Sequence, residues 1–314
     1  MALEINSLSP GRRIVDEFGR PTVDFYRWLQ EVVDVTTTET VLSTEVLYAE
    51  LVIKNTYGDT VSAASKAKEL NKFGRTANAD SGVRTTVAPF QAAIVNETFV
   101  STNLVDSVVS TDAGDTQTIK IEGHTIDASG NLTFKVQSAT LTGQTEVTLG
   151  TPLARVTRAY VANSGTFNSP QAALAGTVSV YDNTDGVSGG GVPTTAAATK
   201  LVIEAAKTQS EKCSTTVSST DYWILTGYEY SITGSGPNTE ANFQKEIRDV
   251  ANGGVWRPLG PEIALESGAL PSASGLYRPY FIVPKNHDFR VVVTTSTANS
   301  EVTAEIQGVL AEIV

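Results

Sequence analysis

QTIKIEGHTIDASGNLTFKVQ, Gln117 to Gln137, reads as two runs of alternating side chains around a Ser-Gly-Asn turn at Ser129–Asn131. In the first run Ile119 and Ile121 point one way, while Thr118, Lys120 and Glu122 point the other. In the second, Leu132, Phe134 and Val136 share a face against Thr133 and Lys135. A period of two with β-branched residues and a turn between the runs is the pattern of a β-hairpin with one buried face.

The same pattern continues downstream. GQTEVTLG, PLARVTRAYVAN, AGTVSVYDN, TKLVIEAA, STDYWILTGYEYSITG, RPYFIVPKN, DFRVVVTTST and SEVTAEIQGVLAEIV are strand candidates separated by Gly, Asn, Asp, Ser and Pro clusters. No strand–helix alternation interrupts them, which excludes an α/β core and predicts an antiparallel β-sandwich, with the jelly roll as one form of it. Upstream the text is mixed. TEVLYAELVIKN (Thr44–Asn55) alternates like a strand, TVSAASKAKELNKFG (Thr60–Gly74) has the spacing of a short helix, and GRTANADSG (Gly74–Gly82) reads as a polar loop. The expected organisation is mainly β: an arm over 1–38, a small mixed α/β segment over 39–105 and a β-sandwich domain over 106–314.

Composition narrows the function classes. The 314 residues carry a formal net charge of -11 and no run of Lys or Arg, so no nucleic-acid partner is expected. No stretch reaches the roughly 18 apolar residues of a membrane span, and MALEINSLSPGRR lacks the basic start and apolar core of a secretory signal. The expectation is a chain with no membrane partner. Cys213 is the one cysteine, which excludes an intrachain disulfide and a multi-cysteine zinc site.

Candidate chemistry is sparse. EGHTID places Glu122, His124 and Asp127 within six positions, residue types suited to acid/base work or a metal, but no third ligand follows at a recognised spacing. The bland reading, polar hairpin residues, is preferred, as it is for His287 in PKNHDFR. DNTDG (Asp182–Gly186) begins like a calcium loop, yet its twelfth position is Pro193 and its flanks are β. SGGGVP lacks a phosphate-loop context, and a lone Cys213 on a strand reads first as a small buried hydrophobe. No catalytic residue, metal or cofactor is therefore assigned. Tyr222, Trp223 and Tyr228, with Tyr230 beside them, read first as core packing and second as a platform for sugar rings.

The N-terminal stretch stands apart. Thr22 sits where an N-cap belongs, Asp24 lies in the first turn, and Phe25, Trp28, Leu29 and Val32 follow the spacing of one helical face that Tyr26 widens. About three turns of helix are marginal alone in water, so this helix needs a surface to lie on.

GRPTVDFYRWLQ (Gly19–Gln30), with its Gly-x-Pro-Thr turn, resembles an N-terminal phrase of structural proteins of tailed double-stranded DNA bacteriophages. ELNKFGR, IVNETFVSTNLVDSVVS (Ile94–Ser110) and IEGHTIDASGNLTF (Ile121–Phe134) are similar to segments of virion proteins of marine short-tailed phages, and together these phrases lie in roughly the first 150 residues. The resemblance implies a non-enzymatic virion component, a head decoration (cement) or appendage subunit, made in the host cytoplasm. Its partners would be capsid or tail subunits and further copies of itself, a trimer by analogy with phage appendages. Phe25, Tyr26, Trp28, Leu29 and Val32 would form the assembly interface, the competing reading being a helix that caps its own sandwich. Two other readings stay open: a glycan-binding attachment module using Trp223 and its tyrosines, and a sugar hydrolase using Glu122 and Asp127.

Overall fold

The computed structural model describes residues 51–61, 68–79, 81–88, 99, 101–162, 173–233, 238–250 and 254–313. The predicted helix carrying Phe25, Tyr26, Trp28, Leu29 and Val32, and the boundary at residue 38, lie outside these residues. The chain divides into two compact units, residues 1–67 with 311–314 and residues 68–310.

In the first unit, residues 51–57 form a helix rather than the end of the strand expected over Thr44–Asn55. Leu51 and Lys54 favour helix, Ile53 is buried, and Gly58 ends the turn at φ +75° with its N–H bonded to Lys54 O. A short alternation of apolar and polar residues does not by itself separate the two structures. Val61 pairs with Ile313 in an isolated antiparallel bridge.

The second unit is built of strands. They are β1 (Lys68–Glu69), β2 (Lys72–Ala79), β3 (Thr85–Thr86), β4 (Val105–Ser110), β5 (Thr118–Ile126), β6 (Leu132–Thr140), β7 (Val147–Leu153), β8 (Arg155–Val161), β9 (Val178–Asp182), β10 (Val187–Ser188), β11 (Val192–Pro193) and β12 (Thr199–Ile203). After them come β13 (Ser214–Thr216), β14 (Asp221–Thr233), β15 (Glu240–Asp249), β16 (Arg257–Pro258), β17 (Ile263–Glu266), β18 (Ser272–Val283), β19 (His287–Thr295) and β20 (Ser300–Glu312).

Two hydrophobic cores organise them. One is shared by the sheet β12-β9-β4-β7 and the sheet β6-β5-β8, with Val108, Ile119, Ile121, Leu153, Val180 and Ile203 among its buried side chains. The other is shared by a sheet in which β1 and β2 pair in turn along one edge of β20, with β14 and then β18 on its other side, and a sheet running β13-β19-β15 with β3, β16 and β17 beside it. Trp223, Tyr230, Phe243, Phe289, Val302 and Ile306 fill that second core. The architecture is antiparallel β-sandwich. The chain starts the second sandwich with β1–β3, makes the first with β4–β12, and then completes the second with β13–β20.

Lys68–Ala79 departs from its local signals. Helix spacing ran to Gly74 and a polar loop followed, yet β1 and β2 both pair with β20. Gly74 is why this segment can lie so close. A Cβ built there would meet Val87 O and Cys213 N at 2.3 Å, inside any tolerated contact. Only a residue without a side chain lets β2 approach the opposite sheet at that point.

The hairpin that announced the fold forms as expected, β5 with β6, from Thr118↔Thr140 to Ile126↔Leu132 without a bulge. Its register adds what the alternation left open. Ile119 and Ile121 face the first core, opposite Ala139 and Gln137, so Leu132, Phe134 and Val136 fall on the other face. Leu132 is buried there, while Phe134 and Val136 stay 48% and 52% exposed on the edge strand of their sheet.

Candidate functional site

Glu122, His124 and Asp127 occupy one strand and its turn but do not converge. Asp127 closes the hairpin. Its Oδ1 accepts from the N–H of Ser129 and of Asn131, both at 2.8 Å, and its Oδ2 accepts from Asn131 Nδ2 at 3.0 Å. Those bonds, the Asn131 side chain first, hold its carboxyl below the usual range. Glu122 lies five residues back along the chain, roughly 17 Å at strand rise. His124 shares Glu122's face, as alternation requires, but is 3% exposed with Phe134 edge-on at 5.4 Å. Burial lowers its pKa to about 3, helped by Lys72 and Arg155 and opposed by Asp288. Its Nδ1 has no hydrogen-bond partner among the described residues.

The remaining sequence candidates are also engaged in structure. His287 Nδ1 lies 2.8 Å from Lys285 O at the start of β19. In DNTDG, Asp182 accepts from Thr184 and Asp185 from Thr195, while Asn183 N–H donates to Asp106. Cys213 is buried beneath Gly74, and desolvation pushes its thiol pKa up. Among the described residues no group of three or more His, Cys, Asp or Glu is placed to hold a metal.

Tyr222 and Trp223 are 1% and 0% exposed, which corrects the sugar-platform reading of these rings. Trp223 meets Phe289 edge-on at 4.9 Å, and its Nε1–H donates to Leu70 O at 3.1 Å. Tyr228 is half-buried and stacks on Tyr277 at 5.1 Å; Tyr230 lies parallel to Phe243 at 4.7 Å. These aromatics also surround a cation. Lys245 Nζ sits 4.6 Å from the Tyr277 ring centre, 5.2 Å from Phe281 and 5.9 Å from Tyr228, and desolvation lowers its pKa to about 8. A register shift between Leu225 and Gly227 re-aims β14, so aromatics on both sides of it face inward.

The densest polar constellation escaped sequence reasoning. Asp288, fully buried on β19, accepts two bonds from Arg155 of β8, Nε at 2.8 Å and Nη2 at 3.1 Å. Arg248 Nη2 adds a bond at 2.5 Å and Thr216 Oγ1 one at 2.7 Å. Phe99 covers both guanidinium groups at 5.1 and 4.9 Å, and Trp256 stacks on Arg248 and on Arg290, whose partner is Glu246. Arg155 belongs to the first sandwich and Asp288 to the second, so the pair joins them. Buried pairs of this kind add little net stability but exact a high cost when one partner is lost, which favours a single mutual arrangement. The 133 residues between the partners hide the contact from any local pattern.

No protein-family model and no curated protein sequence matches the chain. Among solved structures, the VP2 subviral particle of infectious bursal disease virus aligns over 86% of this chain and 78% of that chain, with 9% identity and a TM-score of 0.17. The T13 particle of the same virus aligns over 91% and 81%, with 8% identity and a TM-score of 0.17. At such scores two backbones do not superpose as one fold.

Proposed function

We propose that this chain is a non-enzymatic structural protein of a virion, a head decoration, cement or appendage subunit that joins capsid or tail through its N-terminal arm. The phage-like phrases of the first 150 residues motivate the reading. The observation that carries it furthest is how the surface and the buried polar groups are divided. Asp127 and the acids of DNTDG are held in turns, His124 and Cys213 are buried and His287 lies at a strand end, whereas large apolar side chains stand out on sheet edges. Phe134 and Val136 do so on β6, and Leu276, 65% exposed, on β18. An unpaired edge with apolar side chains is a ready surface for another subunit.

Assembly would follow symmetric packing of identical copies, a trimer by analogy. Burying each large side chain of the arm contributes roughly 1.5–3 kcal/mol, enough in sum to offset ordering a short helix. The aromatic platform of the glycan-binding alternative is not favoured, since two of its three rings are inaccessible.

The test is the copy number of this polypeptide in purified particles, by quantitative mass spectrometry against the major capsid subunit. Hundreds of copies indicate a decoration protein and a few copies an appendage; absence from the particle refutes the proposal. Deleting residues 1–38 should leave the sandwiches folded and abolish joining, and normal joining by the truncated chain would remove the arm's role.

A further inference from the structure

Between β2, β5, β8 and residues 209–212 lies a cleft of about 300 Å³, at the lower end of the range for small-molecule sites. Three cations line it, Lys72, Arg158 and Lys212, against two carboxylates, Glu69 and Glu122. A local positive excess is unusual in a chain of net charge -11. Two of the cations are deeply placed, Lys72 at 5% exposure and Lys212 at 4%.

Their ammonium groups reach adjacent carbonyls of β8. Lys72 Nζ donates to Thr157 O at 2.9 Å, and Lys212 Nζ to Val156 O at 2.7 Å and to Lys200 O at 3.4 Å. An ammonium group has three N–H donors, so the one bond of Lys72 leaves donors facing the cleft. Burial lowers the Lys72 pKa to about 8, with Lys212 and Arg158 acting in the same direction and Glu122 in the other. The two buried ammonium groups repel one another, and an anion beside them relieves that repulsion most directly. Beside the cations, the amide of Gln209, which accepts from Arg158 at 3.1 Å, and residues 70–73 of the chain complete the wall.

We propose that this cleft binds a small organic oxyanion, a carboxylate or phosphate monoester on a body of about one sugar ring, with Lys72 and Arg158 bonding the oxyanion and Lys212 adding its charge behind them. The site is independent of the virion role.

Titration calorimetry of the full chain with glucuronate, glucose 6-phosphate, inorganic phosphate and glucose tests it. Binding of either charged sugar but not of glucose is expected, and the one bound more tightly assigns carboxylate or phosphate as the source. Lys72→Gln and Arg158→Gln should each weaken that binding at least about tenfold, the loss typical of a charge-assisted contact. Arg158 is exposed, so its variant reports even where the Lys72 change perturbs folding. Silence with both charged sugars, equal binding of glucose, or unchanged affinity in the Arg158 variant overturns the proposal and leaves the lysines as pegs for the Val156 and Thr157 carbonyls. Inorganic phosphate binding as tightly as glucose 6-phosphate overturns the part assigned to the ring.

Discussion

Lowering the pH from 7 to 5 should destabilise this protein through one side chain. His124 is buried neutral, with its pKa lowered to about 3 in the folded chain, whereas in the unfolded chain it titrates near 6.5. Below 6.5 the unfolded state takes up a proton that the folded state refuses, so stability falls with pH until the folded pKa is reached. Each pH unit in that window is worth about 1.4 kcal/mol. Allowing for the partial protonation already present at pH 7, the loss between pH 7 and pH 5 is about 2 kcal/mol. Lys72 and Lys245, each lowered to about 8, exert their effect above pH 7 and leave the window untouched. Asp115 and Asp127 are held below 3.8, so the stability they add is lost only as pH falls through and below that value. Urea unfolding of the parent and of His124→Gln at pH 7 and pH 5 isolates the term, because packing lost in the variant cancels when each protein is compared with itself. The parent should lose about 2 kcal/mol more than the variant over this interval. Equal losses in the two proteins would refute the assignment of a neutral, desolvated imidazole.

Three further outcomes follow from the packing. Arg155→Met removes two charge-assisted bonds and leaves Asp288 buried with Arg248 and Thr216, and should cost about 1.5–3 kcal/mol in denaturant unfolding; the double change Arg155→Met with Asp288→Leu should cost less than the two single changes summed, and strict additivity would argue against a coupled pair. Gly74→Ala brings a methyl to 2.3 Å from backbone on the opposite sheet, so a drop of several kcal/mol or failure to fold is expected, and a normal melting curve would contradict the close approach of β2. Cys213, buried with its thiol pKa raised, should resist iodoacetamide in the native protein and react at once in denaturant; rapid native labelling would show the site to be open.

Much of this architecture was legible locally. Alternation over Thr118–Ile126 and Leu132–Thr140, broken by Ser129-Gly130-Asn131, marks a hairpin because side chains on a pleated strand necessarily take opposite faces. The same rule holds along β20, where buried positions alternate with half-buried ones for most of its length. A single buried cysteine and a preference for core over platform in DYWILTGYEYS were likewise readable from residue type. Periodicity, however, states only that faces differ. Partner strands decided which face is covered, leaving Phe134 and Val136 outward and drawing Lys72–Ala79 into a sheet against its own local signals. Arg155 and Asp288 could be found only in three dimensions, since 133 residues separate them and charge carries no label of its partner. The sequence by itself determined strands, turns and the antiparallel class, because these depend on neighbours along the chain; the joined sandwiches, the buried charge pair and the basic cleft depend on groups distant in sequence, and only the tertiary structure brought those together.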